Sequence, residues 1–135
     1  MAEDSERQEL VAAHLRQSRK RLAAAHLLFA QREWEDAISR AYYAAFHAVT
    51  AALASRDLEA KTHTGARTLF ALHFVRTGEV QADIARTLDA LLRDRQSGDY
   101  DAYPLLTAED ADGALHGAEA VIAAVRRVLG LPDGE

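Results

Sequence analysis

Apolar residues recur every three to four positions along most of this chain, a spacing typical of amphipathic helices and not of strands. From about Ser5 to Ala30, one such stripe comprises Val11, Leu15, Leu22, Ala25 and Phe29. From Glu33 to about Ser55, a second stripe comprises Trp34, Ile38, Ala41, Ala45, Val49 and Ala52. We therefore predict two long helices in the first half of the chain.

Caps and breakers predict the next two helices. Thr62 or Thr64 can cap a shorter third helix, which continues through Arg67 to Val75 and stops at Gly78. A fourth helix, from about Val80 to Arg95, follows from the helical spacing of its leucines and Ile84. We expect it to end at Gly98 in a left-handed cap.

The stretch from Asp99 to Pro104 is the least regular part of the sequence. Thr107 and Asp110, three residues apart, resemble a capping box that starts the last helix, and Gly130 with Pro132 ends it. Short connections between long helices favour antiparallel neighbours. The predicted fold is all-α: an up-and-down antiparallel bundle of four long helices plus one shorter helix. We expect a single domain over residues 1–135, ordered from about 5 to 130.

Composition narrows the class of protein. Apolar residues make up 49% of the chain and charged residues 27%, which fits a globular domain. No apolar run approaches the roughly 18 residues of a membrane span, and the acidic start lacks the features of a secretory signal. There are no cysteines, so we expect a cytoplasmic protein. The net charge is −5, so a site for RNA or a nucleotide must be a local basic patch.

The second predicted helix carries a polar stripe opposite its core face. Asp36, Arg40, Tyr43 and His47 share this stripe. It could be a solvated face braced by an ion pair between Asp36 and Arg40. Aromatic residues on two sides of the helix instead favour a second packing partner, such as the other subunit of a dimer.

Arg95 is the second candidate, because it continues the apolar stripe of the fourth helix. Its guanidinium group should therefore emerge at the margin of the core. It could be a structural residue that pairs with Asp99 or Asp101 near the helix end. It could equally form a preorganised phosphate clamp, with Tyr100 beside it.

Other signals are weaker. The basic run of Arg16, Arg19, Lys20 and Arg21 is better explained by a solvated face than by contacts with nucleic acid. His63 stands at a helix start, where free backbone amides could meet a phosphate, but a capping turn explains it equally well. No phosphate-binding loop, dinucleotide fingerprint or His-x-x-x-His pair occurs, so we predict neither a cofactor nor a metal site.

Four blocks of sequence together resemble the HEPN superfamily. They are Ile38 to His47, Thr62 to Gly65, Phe70 to Gly78, and Arg95 to Asp101. The resemblance spans about Ala24 to Leu129 and is closest to the small prokaryotic members. It implies a helical bundle, a homodimer with the functional cleft between subunits, and often a minimal nucleotidyltransferase as partner in toxin–antitoxin pairs.

The resemblance also implies a chemistry. Many HEPN proteins are metal-independent ribonucleases that use an arginine followed, after four to six residues, by a histidine. Here Arg95 is followed by Tyr100 where the histidine would stand. Tyrosine, with a pKa of about 10, is a poor base at neutral pH, which argues against the usual route of cleavage. Some family members are controlled by adenylylation of a tyrosine, which makes Tyr100 a candidate for modification.

Our leading hypothesis is a homodimer that binds RNA or a nucleotide in an inter-subunit cleft. The residues assigned to binding are Arg40, Tyr43, His47, Arg95 and Asp99, and the candidates for catalysis, if RNA is cleaved, are Arg95 and Tyr100. Such a protein would be the toxin-like component of a two-gene system. The alternative is a non-catalytic module that docks a nucleotidyltransferase partner.

Overall fold

The computed structural model describes residues 2–100 and 106–132, and the side chains of residues 3–96 and 106–132. Helix α1 spans Ala2–Ala30, and helix α2 spans Trp34–Ala54. Helix α3, His63–Phe70, continues directly into a π-helical turn, Ala71–Val75. Helices α4, Ala82–Tyr100, and α5, Ala108–Val128, complete the fold. The predicted all-α bundle of four long helices and a shorter one is confirmed.

Helix α2 is the central element, because it packs against each of the other four α-helices, most extensively α1 and α5. Small side chains make this possible: buried alanines line much of α2 and let neighbouring backbones approach closely. They are Ala37, Ala41, Ala44, Ala45, Ala48, Ala51, Ala52 and Ala54. Ile38, Val49 and Leu53 fill the spaces between them. Since alanine also loses no side-chain entropy in a helix, the same residues favour helix formation.

Capping residues and a glycine in the sequence predict several helix ends correctly. The Thr62 hydroxyl accepts a hydrogen bond from the Gly65 amide at 2.8 Å and so caps α3. Thr107 and Asp110 form the predicted capping box at the start of α5. Gly78, with φ of +84°, adopts the left-handed conformation expected of a glycine that stops a helix.

The predicted end of α4 is wrong, since the helix runs through Gly98 to Tyr100. A glycine inside a helix costs only about 1 kcal/mol relative to alanine, so it does not by itself end one. Asp99 and Tyr100 therefore belong to the last turn of α4 and not to an irregular stretch. The rest of that stretch, 101–105, lies outside the described residues.

Two smaller differences concern α1 and the third helix. Helix α1 begins at Ala2, three residues before the predicted start. The third helix keeps its predicted extent but widens into π-helical turns at Ala71–Val75, a geometry frequent at functional sites. Within the described part of the chain, no helix is both long enough and apolar enough to cross a membrane.

Candidate functional site

The candidate site begins with a tyrosine inside the bundle. Tyr42 of α2 is fully buried, and its hydroxyl lies 2.6 Å from Nδ1 of His63, at the start of α3. A buried phenol needs such a partner, because an unsatisfied hydroxyl in the interior is costly. The Thr62 cap fixes the first turn of α3 and hence the place of His63.

Aromatic rings hold His63 on two further sides. Its imidazole stacks on the ring of Phe46, with centroids 4.1 Å apart and planes inclined by 15°. The ring of Tyr43 meets it edge to face at a centroid distance of 6.0 Å. Phe46 lies one helical turn after Tyr42, so a single face of α2 supplies both the ring that stacks on the imidazole and its hydrogen-bond partner.

Arg95 of α4 completes the arrangement. Its guanidinium carbon lies 5.1 Å from the ring centroid of Tyr43 and 5.6 Å from that of Tyr42. These are cation–π distances, which stabilise a partly desolvated arginine. We name Tyr42, Tyr43, Phe46, His63 and Arg95 the aromatic–arginine cluster; it joins α2, α3 and α4.

A second arginine lies near the cluster. Arg67 of α3 forms an ion pair with Asp89 of α4, with Nη1 and Oδ1 2.6 Å apart. The pair ties the two helices that bring His63 and Arg95 to Tyr42. It also neutralises part of the Arg67 charge, since a carboxylate faces it directly.

The protonation states of the cluster follow from burial and from these cations. Burial, and then the charges of Arg95 and Arg67, lower the pKa of His63 below its ordinary value. Burial raises the pKa of Tyr42 to about 12, although the two arginines oppose the rise. At neutral pH the cluster therefore presents a neutral imidazole, a protonated phenol and a guanidinium cation. A neutral imidazole can accept a proton, and a guanidinium can bind a phosphate.

The structure brings together some of the predicted site residues and separates others. Arg95 is half-buried, as its place on the apolar stripe predicts, and contacts Tyr43. Arg40 is exposed, and among the described side chains no ion pair joins it to Asp36. Asp99 and Tyr100 follow Arg95 on the α4 backbone, but their side chains lie outside the described residues.

His47 faces α1 and has a different partner. Its Nδ1 lies 3.1 Å from Nδ1 of His14, and the two rings are 5.4 Å apart. Burial lowers the pKa of both histidines, and His14 and Arg21 lower that of His47 further. Neutral rings can share one proton between the facing nitrogens, so His47 is part of a neutral pair at the interface of α1 and α2.

Sequence reasoning underrated three residues of the site. In the sequence, Tyr42 and Phe46 stand out only as members of the block from Ile38 to His47, and His63 only as a helix-start residue. The available signal was that these aromatics lie on the buried side of α2, where a polar phenol needs a partner. Within the described residues, no three His, Asp or Glu side chains are arranged to hold a metal ion.

Comparisons with known proteins agree with the fold. The family model for the HEPN domain matches residues 11–128. A solved structure of a Thermus thermophilus protein superimposes with a TM-score of 0.76, covering 87% of this chain and 96% of the other at 22% identity. That likeness supports the all-helical fold.

Two relatives cover nearly the whole chain. A Methanocaldococcus jannaschii protein named "Putative toxin" is 31% identical over 121 residues, 90% of each chain. A Thermotoga maritima protein named "UPF0332 protein" is 26% identical over 125 residues, 93% of this chain and 95% of the other. The extent of the family match, together with the first of these relatives, shows that this chain belongs to the HEPN domain family.

Proposed function

We propose that this protein is a toxin-like HEPN protein that acts as a homodimer and binds RNA or a nucleotide at the aromatic–arginine cluster. The observation that carries the proposal is the position of Arg95, whose guanidinium group is held against Tyr42 and Tyr43 beside His63. The names of the relatives support the toxin-like part, since two of them are named "Putative toxin".

The chemistry of the cluster fits a ligand that combines a phosphate with a base. Arginine offers planar, paired donors that match phosphate oxygens, and a cation–π contact fixes its direction before the ligand arrives. Half-buried aromatic rings such as Tyr43 and Phe46 can stack on a base. With a net charge of −5 the whole molecule has no overall attraction for RNA, so a local cation must supply it, and Arg95 is the cation of this cluster.

The dimer and the partner are further parts of the proposal. In the proposed cleft between two subunits, the ligand would also meet Asp99 and Tyr100 in the last turn of α4. Arg40 and His47 of α2 would complete the lining around Tyr43 and Arg95. A minimal nucleotidyltransferase is the proposed second component of the system. Analytical ultracentrifugation of the purified chain tests the first point, and co-purification with the nucleotidyltransferase tests the second.

The binding site is tested by the affinity for a short RNA of mixed sequence with 2′-O-methyl groups, which cannot be cleaved by its own 2′-hydroxyl. We expect Arg95→Ala to weaken binding about 10-fold or more, because a hydrogen bond to a charged group contributes about 1.5–3 kcal/mol. Arg93→Ala removes an exposed arginine two positions earlier on α4 and is the matched control. ATP, measured in parallel, distinguishes a nucleotide site from an RNA site.

Equal affinities of wild type and Arg95→Ala would contradict the assignment of the site, provided that both proteins are folded by circular dichroism. A protein that binds neither RNA nor ATP, but forms a tight complex with its nucleotidyltransferase, would replace the proposal with the docking function.

A further inference from the structure

We infer that His63 is the proton-transfer group of an RNA cleavage reaction at the aromatic–arginine cluster, in the role that Tyr100 could not fill. The inference rests on the proposed binding of RNA at this cluster. His63 lies 32 positions before Arg95 in the chain, so no motif of neighbouring residues points to it. Tertiary packing brings the two together, since both contact Tyr42 and Tyr43.

The other histidines are placed differently. His14 and His47 face each other at the interface of α1 and α2. His116 is exposed on α5 and interacts with Asp112, and His26 is exposed on α1. His73 lies in the π-helical turn, where its backbone carbonyl accepts a hydrogen bond from Arg56. His63 is the histidine whose ring lies in the same cluster as a buried phenol and a half-buried arginine.

Tyr42 acts as a positioning residue. Its hydroxyl lies against Nδ1 of His63, which leaves Nε2 as the ring nitrogen for a ligand. This hydrogen bond allows two tautomers of the imidazole; in the one in which Nδ1–H donates to the phenol oxygen, Nε2 has a lone pair and can accept a proton, and cleavage uses this tautomer. Stacking on Phe46 restrains the ring in the remaining direction. The imidazole is thus oriented before RNA binds, which is what efficient general base catalysis requires.

The step is an internal transesterification of RNA. Nε2 of His63 takes the proton of a 2′-hydroxyl group, and the 2′-oxygen forms a bond to the adjacent phosphorus. The bond between phosphorus and the 5′-oxygen breaks, and that oxygen takes a proton from water. The resulting hydroxide removes the proton from the imidazolium. The products are a 2′,3′-cyclic phosphate and a 5′-hydroxyl end, while Arg95 stabilises the charge that develops on the phosphate oxygens.

The environment of His63 suits this role. The charged groups that face it are Arg67 of its own helix and Arg95 of α4, and both disfavour the imidazolium. The phenol of Tyr42 remains protonated in the same range. The imidazole is therefore neutral at neutral pH, and a rate that depends on it should rise with pH below 6.5 and level off above.

The test uses the full chain, an all-ribose RNA of mixed sequence and a chelator, with the product ends identified by mass spectrometry. We expect His63→Gln to slow cleavage about 100-fold or more, because positioned proton transfer contributes at least that factor. Its affinity for the 2′-O-methylated RNA should stay within about threefold of wild type. His116→Gln, which alters an exposed histidine, is the matched control and should cleave as wild type does.

A second variant guards against a purely structural effect. Free imidazole should restore part of the activity of His63→Ala, because it can occupy the vacated space and carry the proton. Rescue would support a chemical role, and its absence in a folded variant that still binds RNA would count against one. The cleavage rate of wild type should rise with pH below pH 6.5, and this rise should be absent in His63→Gln.

The outcomes separate this inference from the proposed function. Wild-type cleavage that His63→Gln retains would overturn the inference, as would wild type that binds RNA but never cleaves it; both leave RNA binding intact. Failure of wild type to bind the 2′-O-methylated RNA would overturn the proposed function, and the inference with it.

Discussion

Helix α2 has two regions built on different principles. Its alanine-rich region lies at the centre of the bundle and buries apolar side chains, so its packing rests on close contact between small residues. The region around Tyr42 buries a phenol and meets an imidazole and a guanidinium. Burial of polar groups stabilises a fold only weakly even when they are paired. The first region therefore accounts for the stability of the bundle, and the second is where we propose that the ligand binds.

The difference predicts opposite responses to substitution. A change in the alanine-rich region should lower stability and leave ligand binding by the folded molecules unchanged. A change in the aromatic–arginine cluster should affect the ligand more than the fold.

The largest effect on stability is expected from Ile38→Ala. Ile38 is fully buried among the alanines of α2, and removing three carbon atoms from a packed core costs about 2–5 kcal/mol of unfolding free energy. Urea denaturation measures the loss. Binding of 2′-O-methylated RNA, corrected for the folded fraction, should match wild type.

Asp36→Ala, two positions earlier and exposed, is the control for changes on the same helix and should stay within about 0.5 kcal/mol of wild type. A large loss of RNA affinity by folded Ile38→Ala would show that the two regions of α2 are coupled. The alanine-rich region would then affect the ligand as well as the stability.

An intermediate effect is expected from Tyr42→Phe, which keeps the buried ring and deletes its hydrogen bond to His63. The unfolding free energy should fall by about 1 kcal/mol, the usual net contribution of one hydrogen bond. The rate of RNA cleavage should fall by a larger factor than this loss of stability corresponds to, because the imidazole loses the partner that orients it.

Thr68→Val deletes an exposed hydroxyl on the same helix as His63, whose hydrogen bond goes to the backbone carbonyl of Thr64. It should keep wild-type cleavage and is the control for the loss of a hydroxyl. Equal cleavage by Tyr42→Phe and wild type would show that the Tyr42 hydroxyl does not position His63.

The two regions also differ in how well they can be predicted from sequence. The alanine-rich core, the Thr107 capping box and the stop at Gly78 follow from local rules, because periodicity and caps depend on neighbouring residues. The predicted end of α4 at Gly98 is wrong, because a glycine inside a helix costs only about 1 kcal/mol and does not by itself end the helix. Local patterns thus predict which segments are helical better than where a helix ends.

The site required information that periodicity lacks. Because Arg95 lies on an apolar stripe, its side chain is predicted to reach the margin of the core. In the structure this side chain is half-buried. Its meeting with Tyr42 and His63 depends on the angles at which α3 and α4 cross α2, which no local pattern fixes. The contact between His47 and His14 likewise depends on the angle at which α1 crosses α2.

The smallest effect concerns this histidine pair, which borders the cluster on the α1 side of α2. Because burial lowers the pKa of His14 and His47 in the folded protein, the unfolded chain binds more protons once the pH falls below the ordinary histidine pKa of 6.5. Above that pH the pair does not lower the free energy of unfolding. As the pH falls below it, the pair lowers this free energy increasingly, until the pH has passed the lowered pKa values. Urea denaturation at pH 7 and pH 5 should show a smaller loss for the double variant His14→Gln/His47→Gln than for wild type.

All other side chains are the same in the double variant and in wild type, so their contributions cancel in this comparison. His116 provides a control of opposite sign, because its backbone contact to Asp112 raises its pKa and favours the folded state at low pH. His116→Gln should therefore lose slightly more stability than wild type between pH 7 and pH 5. An identical pH dependence of the double variant and wild type would show that the facing nitrogens accept protons as readily in the folded protein as in the unfolded chain.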